Sequence, residues 1–206
     1  EMKDNFYVVY ETPDGVDGYV IYKTGGDWVD GLPRGSVDVV ELMGATDEAS
    51  AALWQFCFGV DLVDTIKAGR RPVDDPLPWM LADSRRLARR VSDAYWVRVV
   101  DVVSALSGRR YSTEGKVVFR LRDDFCEWND GTYEIEGSLE GAHCSRSKAG
   151  AEVELGAADL GALYMGGVTA TTLMHAGRLS ELKPGAVARL DSMLRWSPGP
   201  WGAQGF

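Results

Sequence analysis

The sequence is poor in the residues that most metal, redox and disulfide chemistry requires. Its three cysteines, Cys57, Cys126 and Cys144, are widely spaced and form no CxxC pair, and there are two histidines, His143 and His175. An odd, scattered cysteine set argues against a disulfide framework or a zinc site and fits a reducing cytoplasm. No metal cofactor is expected. His175 lies in the helix-like TATTLMHAG and reads as a structural side chain rather than a catalytic base. No apolar run approaches ~18 residues, so no bilayer span is expected. Residues 1–10, EMKDNFYVVY, lack the basic start and apolar stretch of a secretory signal. Positive charge is also scarce. The formal net charge is −9, which argues against nucleic acid as a partner and for cationic ligands. The one basic cluster, RRLARR (85–90), falls in an expected helix, where it reads as a solvated face. There is no internal repeat and no low-complexity stretch.

What is present is an alternation of strand-like and helix-like segments. FYVVYE (6–11) and GYVIYK (18–23) read as a hairpin across the turn formers of TPDGVDG. TGGDWVDGLPRGS (24–36) reads as a loop and VDVVELM (37–43) as a strand. TDEASAALWQFCFG (46–59) reads as a helix, capped by Thr46, acidic in its first turn and ended by Gly59. DLVDTIKA (61–68) reads as another strand. GRRPVDDPLPW (69–79), with its prolines, reads as a boundary, MLADSRRLARRVSD (80–93) as a helix and YWVRVVD (95–101) as a strand. After a short helix at 102–108 come strands at 116–123, 132–139 and 151–156, with NDG (129–131) as the turn between the first two. Helices follow at 158–166, 168–177 and 184–194. The first half is thus an α/β or α+β pattern, and the second, strands first and helices last, an α+β layer.

Hairpin, strand, helix, strand is the central order of the GNAT acetyltransferase fold. In that family a glycine-rich turn before the helix holds the pyrophosphate of CoA on bare amides. The corresponding stretch here, VVELMGATDEASAALWQF, has one glycine, Gly44, and puts Asp47 and Glu48 in the first helical turn. Those carboxylates suit the helix dipole but repel a pyrophosphate. Cofactor binding is therefore not expected in this half.

Several stretches in order resemble the Eis family (enhanced intracellular survival) of bacterial N-acetyltransferases: DGYVIYK, ELMGATDEASAALWQFCFGVDLVDTIKAGRRPVDDPL, WMLADSRRL, YWVRVVDVVSALSGRRY, FCEWNDGTYEI, LGALYMGG and the aromatic tail ending at Phe206. The resemblance implies the C-terminal part of such an enzyme. Residues 1–68 would be the latter half of its central, non-catalytic GNAT-like domain, 69–93 a linker and helix, and 94–206 a sterol-carrier-protein-like domain. It implies acetylation of amines on aminoglycoside- or polyamine-like cations. Acetyl-CoA would be bound by an N-terminal catalytic domain outside this chain, so the chain alone would be inactive. A homohexamer and a cytoplasmic location are implied as well.

For site residues, the resemblance implies that the terminal carboxylate, on Phe206, is the general base toward the substrate amine. An amine attacks a thioester only as the free base, so some group must take its proton. Trp96 would wall the substrate pocket, and Asp74 and Asp75 would meet substrate ammonium groups. Gln204 and Gly205 precede Phe206, so the acid that family members can carry next to the terminal residue is missing. Tyr95, Tyr111, Tyr133 and Tyr164 read as core residues, not as the catalytic acid. The alternative function is a lipid-binding module, with LGALYMGGVTATTLM supplying apolar helices around a tunnel.

Overall fold

The computed structural model describes residues 5–93 and 95–203. The chain divides into two units. The first runs to Arg89 and takes the chain in again from Trp201; the second is Arg90–Pro200.

In the first unit, β1 (Phe6–Thr12), β2 (Gly15–Val29) and β3 (Leu32–Gly44) form an antiparallel meander, and β4 (Val63–Ala68) adds parallel to β3. Alternation places Val20, Tyr22, Val37, Val39 and Leu42 on one face. Helix α1 (Asp47–Phe58) covers that face with Leu53, Trp54 and Cys57. Thr46 caps α1, its hydroxyl accepting from the Ala49 N–H at 3.1 Å, and Gly59 ends it. Residues 24–36 are not a loop: β2 and β3 continue as a two-stranded arm to a turn at Asp30 and Gly31, with φ of 53° and 76°. Asp-Gly at positive φ is the turn whose twist suits a hairpin. The arm was hidden because Trp28, Val29 and Leu32 are exposed, so no buried face marks the strands.

The stretch 80–93 is also not a helix. Beyond a short α2 (Leu77–Met80), a single 3-10 turn spans Ser84–Arg86. Like charges three and four apart (Arg85, Arg86, Arg89, Arg90) repel on a helix. Leu81 and Leu87 are the side chains here that pack on the core, too little to offset helix nucleation.

The second unit holds α3 (Val102–Ser107), β5 (Gly115–Arg122), β6 (Gly131–Gly137), β7 (Ala142–Arg146), β8 (Val153–Gly156), α4 (Ala157–Tyr164), α5 (Ala170–His175), β9 (Leu179–Glu181) and α6 (Ala186–Leu194). The sheet order is β7-β6-β5-β8-β9, antiparallel except for the β5–β8 pair. One face, with Val117, Phe119, Leu121, Tyr133, Ile135, Val153 and Leu155, packs against Leu106, Leu160, Leu163, Leu190 and Met193 of the helices. The other face carries ion pairs such as Lys116–Glu134 at 2.6 Å and Arg122–Glu154 at 2.8 Å. The short strands β7 and β9 are not marked by any β-rich run.

Residues 95–101 form no strand. Side chains serve their backbone instead: Asn129 Nδ2 donates to the Val99 and Val100 carbonyls at 3.3 and 3.0 Å, and Trp128 Nε1 to Val100 at 2.9 Å. Nor is NDG a tight turn. β5 and β6 are joined by residues 123–130, with a 3-10 turn at Glu127–Asn129 organised by the buried Asp123. Its carboxylate accepts from Phe125 N–H and Cys126 N–H and pairs with Arg98. Tyr111 and Tyr133 are core residues as expected, but Tyr95 is exposed.

Candidate functional site

The join of β3 to α1 is where a pyrophosphate would have to sit in this unit. It is tightly built without one. A Cβ on Gly44 would lie 2.3 Å from the Ser50 hydroxyl, so the glycine serves close packing rather than an open anion cradle. Thr46 already satisfies the Ala49 amide, and Glu48, in the first turn beside Asp47, accepts from the Tyr10 hydroxyl at 3.2 Å. Two carboxylates at a helix N-terminus oppose a polyanion. The packing and the charge of this join oppose a CoA pyrophosphate.

The second feature lies where β3 leaves β4. Their pairing ends at Val39 and Ala68, while β3 runs on to Gly44. Along that stretch the Leu42 carbonyl accepts from Arg71 Nη1 at 2.6 Å. Arg71 Nε donates to Asp75 Oδ2 at 2.8 Å, and Asp75 Oδ1 accepts from the Leu77 N–H at 2.8 Å, starting α2. The Arg71 guanidinium lies 5.5 Å from the centroid of the Trp54 ring and 5.7 Å from that of Trp201. Trp201 Nε1 donates to the Arg70 carbonyl at 2.6 Å, and Arg70 has a left-handed φ of 51°. One tryptophan of the tail is thereby held by a stacked cation and a hydrogen bond.

The residues expected from sequence fall in different places. Asp75 is 8% exposed at its side chain, and both of its oxygens are engaged within the chain, so its role here is internal. Asp74 is exposed on the adjoining loop. Trp96, in the second unit, is 88% exposed. Phe206 lies outside the described residues. Sequence reasoning missed Arg71 and Trp54. The signal was available in GRRPVDD, which sets Arg71 four residues before Asp75.

The second unit has a cavity of about 20 Å³, lined by residues that include Leu106, Tyr111, Phe119, Leu160, Leu163 and Leu190. That is roughly room for one water, against ~300–1,000 Å³ for an ordinary ligand pocket. Among the described residues the core of this unit is filled by its own side chains, which leaves a lipid no tunnel there. No helix among them is long and apolar enough to cross a membrane.

These features define an acetyltransferase-type first unit without a phosphate cradle and a closed-core second unit. Residues 1–99 match the acetyltransferase (GNAT) domain family and residues 102–203 the sterol carrier protein domain family. The chain carries these two domains in that order and is homologous to Eis-like N-acetyltransferases. It is 38% identical over 97% of its length to an uncharacterized N-acetyltransferase of Streptomyces avermitilis, covering 49% of that protein. It is 33% identical over 85% of its length to the N-acetyltransferase Eis of Mycobacterium tuberculosis, covering 42% of it. Its structure matches Eis1 from Mycobacterium abscessus with a TM-score of 0.81 and 32% identity, over 98% of this chain and 51% of that one. A GCN5-related N-acetyltransferase from Anabaena variabilis, 19% identical with a TM-score of 0.77, shares the fold; the match covers 99% of this chain and 52% of that one. The chain spans about half the length of the curated relatives it matches.

Proposed function

We propose that this chain works as part of an acetyl-CoA-dependent N-acetyltransferase that acetylates amines of aminoglycoside- or polyamine-like cations. The observation that carries the reading is the homology to Eis-like N-acetyltransferases along nearly the whole chain. In this reading acetyl-CoA is held by a further acetyltransferase domain of a longer protein. The acid-bearing start of α1 supports that division, because it repels the pyrophosphate that a working cradle must attract. Phe206 supplies its terminal carboxylate as general base. Such a group has an intrinsic pKa near ~3.5 and is ionised at neutral pH, so it attracts a cationic amine before taking its proton. Asp74, in the first unit, meets ammonium groups of the substrate, and the net charge of −9 favours cationic substrates. We also assign this protein a homo-oligomeric state and a cytoplasmic location, by likeness to the family.

The test is acetyl transfer from acetyl-CoA to a polyamine or an aminoglycoside, comparing the full-length parent with a version lacking Phe206. The expected result is a collapse in rate with the fold retained. An unchanged rate removes the terminal carboxylate from the chemistry. Acetyl-CoA binding to residues 1–206 alone would overturn the division of labour. The filled core of the second unit disfavours the lipid-carrier alternative.

A further inference from the structure

We infer that Arg71 and Trp201 are positioning residues: together they clamp the aromatic tail on the first unit and thereby set where the Phe206 carboxylate can act. The inference rests on the reading of Phe206 as the base. Its own footing is the geometry around Arg71. The guanidinium is fixed from three sides, by the Leu42 carbonyl, the Asp75 carboxylate and the Trp54 ring, and it presents its remaining surface to Trp201. The indole N–H is taken by the Arg70 carbonyl. A stacked, partly desolvated cation and a direct hydrogen bond hold Trp201 in position as well as orientation. Phe206 is five positions beyond Trp201. At ~3.3–3.6 Å per residue, five residues of extended chain span at most ~17–18 Å, so a clamp at Trp201 limits the reach of the tail beyond it. Release of Trp201 removes that limit.

Asp75 completes the device. An uncompensated guanidinium beside the tail would itself be the natural partner of a terminal carboxylate. Asp75 neutralises Arg71 at 2.8 Å and leaves the tail carboxylate available for an amine. Arginine is required rather than lysine, because only a planar fork can stack on two indoles while donating to a carbonyl and a carboxylate.

The test uses the full-length parent carrying Trp201→Ala, Trp201→Phe, Arg71→Ala or Arg71→Lys. It has two readouts: hydrogen exchange of the peptide 197–206, and steady-state transfer kinetics. Trp201→Ala and Arg71→Ala should speed tail exchange by roughly tenfold or more and lower kcat while leaving KM for acetyl-CoA unchanged. Trp201→Phe, which keeps a ring but loses the N–H, should fall between. Arg71→Lys should not rescue. Unchanged tail exchange in Trp201→Ala overturns the clamp, whatever the rate does. A released tail with an unchanged rate, in a protein that loses activity when Phe206 is deleted, overturns the positioning role. If deleting Phe206 itself leaves the rate unchanged, the base reading is what fails, and exchange alone upholds or overturns the clamp. Should Arg71→Ala unfold the first unit, the Trp201 variants, which leave β3 and Asp75 untouched, decide the matter.

Discussion

The Asp123 carboxylate, almost wholly buried, accepts the Cys126 N–H at 2.9 Å and holds the β5–β6 connection in shape. Burial alone pushes this carboxyl up, but the Cys126 N–H, the Asn129 amide, Arg98 and the Phe125 N–H together outweigh it and hold it below its ordinary value. Glu152 is lowered in the same way: burial opposes, while Lys183, the Val118 N–H and Arg189 prevail. A carboxyl depressed on folding stabilises the native state above its unfolded pKa of roughly 4 and loses that contribution as pH falls through the folded value. The second unit should therefore lose stability from about pH 5 downward. Urea melts of Asp123→Asn and Glu152→Gln should show a lower plateau at neutral pH and a flatter acid limb. An acid limb as steep as wild type in both variants would remove these groups from the effect.

Gly137 backs onto a buried ring. A Cβ there would meet Tyr111 Cδ2 at 2.4 Å. The tyrosine cannot step aside, because its hydroxyl donates to the Leu106 carbonyl at 2.9 Å and the ring is 1% exposed. Gly137→Ala should cost about 1–3 kcal/mol by overpacking. Thermal denaturation checks this, with Gly150→Ala, where a Cβ meets nothing within 4 Å, as the neutral control.

Burial pushes the thiols of Cys57 and Cys144 up to about 11, and each residue is 1% exposed. A thiol that is neither ionised nor accessible does not attack a disulfide reagent. Neither should react with Ellman's reagent at pH 8 in native protein, while both should react in urea. Rapid native labelling of either, mapped by mass spectrometry, would reveal local opening of that core.

The small apolar cavity between sheet and helices of the second unit predicts that organic extraction of the purified protein yields no stoichiometric lipid. A bound lipid at one per chain would show that this core opens to admit it.

Much of the fold was legible because local chemistry and burial agreed. Helix α1 carries its cap, its acidic first turn, its buried stripe and its terminal glycine within fourteen residues of sequence, TDEASAALWQFCFG. The core strands β3, β5 and β6 likewise announce themselves by β-branched and aromatic residues. Legibility failed where that agreement broke. The exposed arm of β2 and β3 has no buried face to reveal it, and RRLARR offers a helical pattern in which Leu87 packs on the core but the arginines repel one another. In residues 95–101 the β-rich composition reflects extended backbone whose hydrogen bonds go to Asn129 and Trp128, not to a strand.

The sequence by itself determined the charge, the absence of a phosphate-binding glycine turn and the two-part order of elements, since each is a property of residues or near neighbours. It also placed Asp74 and Asp75 in one acidic loop. Only the tertiary structure decided that Asp75 belongs to Arg71, and that Arg71 reaches Leu42, Trp54 and Trp201. Those partners are separated by up to 159 positions (Leu42 to Trp201), and no local propensity encodes a contact across such a distance. Chain folding alone brings a carbonyl, two indoles and a carboxylate around one guanidinium.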